Sequence, residues 1–411
     1  MQFKQYPSYK NSSVEWLGDV PEHWQIVRTK DIFNHRKEEA LEDDEIVTAF
    51  RDGQVTLRKN RRTDGFTNSI KEHGYQHINS GDLVIHEMDA FAGAIGVSDS
   101  SGKSTPVYSV CYAKNENINH HFYSHFFRTM AKTGFINSLA KGIRVRSTEF
   151  RWNESRNVYL ALPPQIDQQK IVSFLNTETT RIDNLIAKQE KLIELLEEQR
   201  KSIISHAVTK GLDPNAPMKD SGVEWLGEVP EHWKIGRLKN LLSIHNGSDY
   251  KEFEVENSEK SYPVYGSGGV FTYSSKYIYD QESVLLGRKG TINKPLYVTS
   301  PFWAVDTMFY SQVKRGVYGK YVYYQALGFP YDRYSSNTAL PSMTQTDLLN
   351  LSVTIPLISE QIGITQFLDN ENAKFDNLIY KQKNLIEKLK EYRSSIISHA
   401  VTGKIDVREF C

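Results

Sequence analysis

The chain has 411 residues and equal numbers of basic and acidic side chains, 50 Lys plus Arg against 50 Asp plus Glu. That length exceeds one ordinary core and makes two domains the expectation, while the neutral balance excludes a strong overall field for a polyanion and confines nucleic-acid binding to local clusters. Cys111 and Cys411 stand far apart, which excludes a disulfide framework and a zinc site of the usual cysteine spacing and fits a reducing compartment.

The first residues, MQFKQYPSYKNSS, lack an apolar signal region, and no run along the chain has the length needed to span a bilayer. A cytoplasmic protein without membrane contact is expected. Residues 10–33 read KNSSVEWLGDVPEHWQIVRTKDIF and return as residues 219–242, KDSGVEWLGEVPEHWKIGRLKNLL, identical at 15 of 24 positions. Trp16, Trp24, Trp225 and Trp233 recur in this way, which favours a structural role for them.

The insert that follows reads mostly as short strands. Its segment TLRKNRRTDGF holds Arg58, Lys59, Arg61 and Arg62 ahead of a turn-forming Asp-Gly, so these are candidate phosphate or base contacts or else a solvated hairpin. The stretch from Gly96 to Ser104 has the look of a phosphate loop. It puts five residues rather than four between its glycines and leads into a strand instead of a helix, so a hairpin turn is expected there. A short helix is predicted over residues 121–130. Further candidates, Arg144, Arg146 and Arg151, lie in KGIRVRSTEFRW.

Next comes a proline-terminated strand, VYLALPPQ, and a long helix predicted from about Asp167 to Val208, on the order of 60 Å. Its Leu-Pro-Pro-Gln resembles the proline pair of amino-methyltransferase motifs but lacks their leading Asn or Asp and trailing aromatic. Residues 183–209 (DNLIAKQEKLIELLEEQRKSIISHAVT) return as residues 376–402 (DNLIYKQKNLIEKLKEYRSSIISHAVT), identical at 20 of 27 positions. Steps of three and four predict a seam through Ile182, Leu185, Gln189, Leu192, Leu196, Gln199, Ile203 and His206. The second copy gives Phe375, Leu378, Gln382, Leu385, Leu389, Tyr392, Ile396 and His399, with both histidines forming a polar layer. Ile186, Ile193, Ile204, Ile379, Ile386 and Ile397 widen the stripe. Both helices are expected to stop at a glycine, and PNAPMKDSG reads as a linker into the second tryptophan segment.

The second insert does not match the first. It carries Arg288, Lys289 and Lys294 in the turn GRKGTINKP and is rich in aromatics, Tyr262, Tyr265, Phe271, Tyr273, Tyr277, Tyr279, Trp303, Phe309 and Tyr310, most of them expected in the core with Tyr277 and Tyr279 on one strand face. A short helix is predicted over residues 319–327. The second long helix follows the strand LSVTIPLIS, with Ser359 in its N-cap region. No dinucleotide loop, HExxH or GxSxG element is present, and the chain reads as non-catalytic.

These parts divide the chain into a recognition domain (1–161), a central helical spacer (162–213), a linker with a second recognition domain (214–354) and a C-terminal helical spacer (355–411). EWLGDVPEHW, the proline-terminated strand entering a long helix, and SIISHAVT before Gly and Asp, each present twice, resemble the specificity subunit of type I restriction-modification enzymes across the whole chain. The resemblance implies a mixed α+β fold: two target-recognition domains with β-rich cores, inverted by pseudo-two-fold symmetry and joined by two long helices in an antiparallel coiled coil. It implies double-stranded DNA as ligand, with an asymmetric bipartite target, and two modification subunits carrying S-adenosylmethionine for adenine methylation. It further implies restriction subunits that use ATP and Mg, with no cofactor on this chain. The neutral charge adds the expectation that the partners supply much of the phosphate grip. The alternatives are a coiled-coil interaction scaffold, a standalone sequence-specific DNA-binding protein, and a nuclease or methyltransferase of unrecognised active site.

Overall fold

The computed structural model describes residues 3–61, 73–139, 150–334 and 341–410. The chain divides into two compact units, Met1–Lys188 with Leu385–Cys411, and Gln189–Asn384. Two long helices are shared between them, α2 (Gln165–Lys210) and α4 (Ile358–Val401). The sequence-based division set the helices apart as spacers. In the structure each unit takes a segment of both, because each segment packs its apolar side into that unit's own core.

The first unit begins with β1 (Tyr9–Asn11), β2 (Asp19–Pro21), β3 (Gln25–Arg28) and β4 (Phe33–His35). Its insert supplies β5 (Val47–Ala49), β6 (Val55–Leu57), β7 (Gln76–Ile78), β8 (Leu83–His86), β9 (Ile95–Val97), β10 (Gly102–Ser104) and β11 (Tyr108–Ala113). Helix α1 (His120–Lys132) and β12 (Tyr159–Leu162) complete it before α2. The order in its main sheet is β4-β11-β8-β9, all antiparallel, while β3 pairs with β12. β9 joins the main sheet and β10 pairs with β7, so the segment between them is a crossover between sheets and not the expected hairpin.

The second unit repeats this plan with β13 (Met218–Asp220), β14 (Glu228–Pro230), β15 (Lys234–Arg237) and β16 (Leu242–Asn246). Then come β17 (Glu254–Val255), β18 (Tyr262–Gly266), β19 (Gly269–Ser274), β20 (Ser283–Gly287), β21 (Leu296–Val298), β22 (Trp303–Ala304) and β23 (Met308–Val313). Helix α3 (Gly319–Leu327) and β24 (Ser352–Ile355) close it. Its main sheet runs β16-β23-β20-β21 and β15 pairs with β24, matching the first unit strand for strand although the inserts differ in sequence. What differs is the material outside each main sheet: the β5–β6 hairpin and the β7–β10 pair in one, the sheet β17-β19-β18-β22 in the other. Part of the expected linker, Met218–Asp220, is a frame strand paired with β14.

A tryptophan clamp organises each unit. In the first, Trp24 Nε1 donates to the Asp167 carboxylate at the start of α2 (3.3 Å), and His23 Nε2 lies 2.8 Å from the same oxygen. A Cβ on Gly403, just past α4, would meet the Trp24 ring at 3.0 Å. In the second unit Trp233 Nε1 donates to Glu360 at the start of α4 (3.1 Å), His232 Nε2 lies 3.0 Å away, and a Cβ on Gly211, just past α2, would meet the Trp233 ring at 3.2 Å. Each tryptophan therefore ties the start of one long helix to the end of the other. Both glycines have positive φ, +77° at Gly211 and +73° at Gly403, which end the helices at no steric cost. At the entry to α4 the structure differs from expectation. The helix begins at Ile358, with Ser359 already inside it, and the Glu360 carboxylate accepts from Leu357 N.

Burial opposes the charged form of Glu360, but hydrogen bonds from His232 and Trp233 outweigh it and hold the carboxyl below the usual carboxylate range. A pKa lower in the folded than in the unfolded state makes this contribution complete above the usual range and lost as pH falls through it. Glu360→Gln should accordingly flatten the fall in urea midpoint on acidification below about pH 5. An unchanged pH profile would remove Glu360 from the acid response.

Within each unit the helix segments run antiparallel and share a mirrored ion pair. Arg393 meets Asp183 at 2.8 Å in the first unit, and Arg200 meets Asp376 at 2.5 Å in the second. The buried or half-buried stripe on α2 passes through Ile182, Ile186, Gln189, Ile193, Leu196, Arg200, Ile203 and Ala207. On α4 it passes through Phe375, Ile379, Gln382, Ile386, Leu389, Arg393, Ile396 and Ala400. Alternate positions thus lie one residue later than predicted. Leu192 (38%), Leu378 and Leu385 (40%) are exposed, as are Gln199, Tyr392, His206 and His399, so the histidines form no polar layer. Leu185 is half-buried beside Ile186. Leucine and isoleucine stand side by side at these positions, and the same three-and-four rhythm fits either set. Packing against the unit cores settles it.

Candidate nucleic-acid interface

In the first unit the β5–β6 hairpin turns through residues 50–54, where Gly53 has φ +94° and its N–H donates to Phe50 O at 2.9 Å. Past β6, Arg58 Nε donates to Thr48 Oγ1 at 3.3 Å, and Lys59 pairs with Glu45. Arg61 reaches back to the turn, where its guanidinium donates to Asp52 at 2.8 Å and lies 4.2 Å from the Phe50 ring centroid. The Arg61 guanidinium beside Asp52 outweighs burial and holds that carboxyl below its ordinary range. Arg51, Arg58 and Arg61 thus surround one hollow of about 560 Å³, but with Asp52 and Asp89 among them. The structure brings Arg58, Lys59 and Arg61 together and matches Lys59 and Arg61 with carboxylates, which the basic run alone did not reveal.

Arg62, Arg144 and Arg146 lie outside the described residues. Arg151 precedes the turn of helix at Trp152–Ser155, its Nε 3.9 Å from the Glu87 carboxylate, at a hollow of about 670 Å³ that also holds Tyr75 and Trp152.

In the second unit Arg288, Lys289 and Lys294 occupy the β20–β21 loop. Thr307 O accepts from the backbone N–H of Arg288 (2.9 Å) and of Lys289 (3.2 Å), and the Arg288 guanidinium donates to Asp306 O at 3.2 Å. Lys289 and Lys294 are exposed and Arg288 is half-buried. Gly287 admits this loop, since a Cβ there would stand 2.6 Å from Ile292 Cα. The strand order makes residues 87–94 the equivalent loop of the first unit, where the sequence is EMDAFAGA. One reader therefore presents a basic loop where the other presents an acidic and apolar one.

Sequence reasoning missed the exposed tip of β18–β19. Phe271 is 55% exposed and Val270 stands beside it, lining a hollow with Asp306 and Thr307, the residues that hold Arg288. A run of three glycines interrupted by nothing but Ser267, at 266–269, was the available signal. Among the other aromatics, Trp303 and Phe309 are buried as expected. Tyr277 and Tyr279 lie outside any strand; Tyr277 is exposed against Tyr262 at 5.0 Å, and Tyr279 packs on Phe302 at 6.1 Å. Cys111 is buried, and burial raises its thiol well above the ordinary range, which suits a packing role.

A duplicated frame that repeats its clamp and varies its loops defines a double recognition protein, with two readers of unlike surface. The chain belongs to the family of type I restriction modification DNA specificity domains, whose model matches residues 21–197 and again 230–390. It is 23% identical to the type I restriction enzyme MjaVIII specificity subunit of Methanocaldococcus jannaschii, covering 95% of this chain and 94% of that one. Against the putative MjaX specificity subunit of the same organism the figures are 20%, 99% and 99%. Among solved structures, a chain from work on complex assembly and conformational transition of the type I R-M system has a TM-score of 0.71 at 14% identity, covering 93% of this chain and 98% of that one. The HsdS subunit from Thermoanaerobacter tengcongensis has a TM-score of 0.55 at 15% identity, covering 94% and 98%. These two share the fold. No helix among the described residues is long and apolar enough to cross a membrane.

Proposed function

We propose that this chain is the non-catalytic specificity subunit of a type I restriction-modification complex, in which each unit reads one half of a split, asymmetric DNA target and two modification subunits dock on the chain. The observation that carries this reading is the pair of tryptophan clamps, Trp24 on Asp167 and Trp233 on Glu360, beside β8–β9 and β20–β21 loops of opposite character. Repeated frames suit identical partners, and unlike loops suit unlike bases. S-adenosylmethionine belongs to the modification subunits and ATP with Mg to the restriction subunits, so the chain directs adenine methylation and restriction without performing either. Its place is the cytoplasm, beside the DNA it reads.

Co-expression with its modification subunit, followed by mapping of methylated adenines across a genome, tests this. A two-part asymmetric target with a fixed gap is expected. A single continuous palindrome, or methylation by the purified chain alone, would overturn it.

Leu192 and Leu385 hold the same position in the two helix repeats and are exposed alike, one in each unit. Such a pair suits contact with two copies of one partner. Changing both to glutamate should leave the melting temperature of the isolated chain within a few degrees of wild type and weaken modification-subunit binding by tenfold or more, about 1.4 kcal/mol, measured by co-purification and calorimetry. Undiminished binding would move the docking surface elsewhere.

A further inference from the structure

A hollow of about 380 Å³ lies within the first unit between α1 and the last turns of α4. His125, Arg128 and Lys132, spaced three and four apart on one face of α1, line one side, and Ser394 and Ser398 of α4 line the other. Arg128 has no ion pair among the described residues, and its Nε is buried there without a hydrogen-bond partner, as is Nδ1 of His125. Arg393 stands close enough to act on both Arg128 and Lys132, but its own guanidinium is held by Asp183. Burial first, and then these like charges, lower the pKa of Arg128 and of Lys132. Glu391 is the one carboxylate on the lining, and Asp52, which acts on Arg128, is bonded to Arg61.

A half-buried guanidinium such as that of Arg128 is costly without a matching anion unless something supplies one, and exposed Lys132 follows it one turn on. Arginine and lysine on one lining with serine hydroxyls make the donor set that tetrahedral oxyanions accept from. The hollow also departs from the repeat. In α2 the positions of Ser394 and Ser398 are Lys201 and Ser205, and α3, GKYVYYQAL, has neither histidine nor arginine. A surface present once does not suit a partner that binds twice. It does adjoin a reader loop, because the Arg128 guanidinium occupies the space where a Cβ on Gly53 would lie, at the turn that carries Asp52 and Arg61.

We propose that this hollow is a phosphate-binding site of the first unit, filled by one backbone phosphate of the bound duplex next to the β5–β6 reader. Its assignment to DNA rests on the function proposed above; its phosphate chemistry does not.

The test uses the full chain, alone and reconstituted with modification subunits, with Arg128→Gln and Lys132→Gln, the second guarding against a folding defect in the first. For the complex, each variant should weaken cognate and non-cognate duplexes alike and lower the slope of log affinity against log salt by about 0.9 per lost contact. A methylphosphonate at one phosphate should reproduce that loss in wild type and add nothing in the variants. For the chain alone, inorganic phosphate should raise the melting temperature of wild type and not of the variants. Stabilisation by phosphate with an unchanged salt slope would keep the site and overturn its assignment to DNA in favour of a free phosphate. No response in either arm, or variants that lose only modification-subunit binding, would overturn the site itself. A wild-type complex that ignores split targets would defeat the proposed function while leaving the inorganic phosphate arm to decide this one.

Discussion

Replacing Trp24 with alanine should lower the stability of the chain by about 3–5 kcal/mol, the range for emptying a buried aromatic site. Trp24 is 0% exposed and sits edge-on to Tyr6 (5.8 Å) and Phe122 (6.4 Å), with Gly403 packed behind it. No neighbour can collapse into the space cheaply, because the ring is flanked by the backbone just past α4 on one side and by the start of α2 on the other. The change also strips the Asp167 carboxylate, 3% exposed, of one of its hydrogen-bond donors and leaves His23, with the Arg408 guanidinium at 3.9 Å, to hold it. Trp233→Ala should act in the same way, since Trp233 meets Glu360 and Gly211 in the same manner. Urea unfolding followed by circular dichroism measures both. A loss under about 1 kcal/mol at either site would mean the clamp is not what joins the helix ends to the frame.

Arg288→Gln with Lys289→Gln should relax or weaken recognition at one half of the target and leave the other half unchanged. Arginine or lysine reading guanine contributes about 1–3 kcal/mol of discrimination, so a roughly ten- to hundredfold change is expected at the affected positions. The loop that carries both residues is fixed at its root by their backbone N–H groups on Thr307 O, which the substitutions keep, and only the Arg288 guanidinium's bond to Asp306 O is lost. The corresponding loop of the first unit, with Glu87 and Asp89, cannot stand in for it by charge. Methylation mapping of the variant complex provides the readout. Changes in both half-sites, or in neither, would detach these residues from sequence reading.

The frame was legible in the chain because the tryptophan segments and the later halves of the helices are copied, and the strands that enter the helices, though unlike in sequence, both end in proline. Long periodic stretches with prolines before and glycines after leave little freedom in where a helix begins and ends. The main sheets were not legible. β4-β11-β8-β9 and β16-β23-β20-β21 share an order that depends on pairing between distant strands, and the aligned residues have no resemblance that would signal it. The seam was legible in rhythm and missed in phase, because Leu192 and Ile193, or Leu385 and Ile386, satisfy the same spacing. Among the candidate contacts, charge alone did not separate Lys289, which is exposed, from Arg61, which folds back on Asp52 across a turn whose geometry the sequence only hints at. Phe271, one of the aromatics mostly expected in the core, stands exposed beside a glycine-rich tip.

Proteins commonly fold domain by domain in the order in which they are synthesised. The division of this chain reverses that order. The second unit has all its residues once position 384 has left the ribosome, whereas the first waits for Ile396, Ile397, Ala400 and Val401 to fill its core and for Gly403 to cover Trp24. Until then the first half of the chain carries an open apolar face. A translation product halted between the two events would hold a finished reader on its later half and an unfinished one on its earlier half, so only completed synthesis yields a chain in which both readers can act.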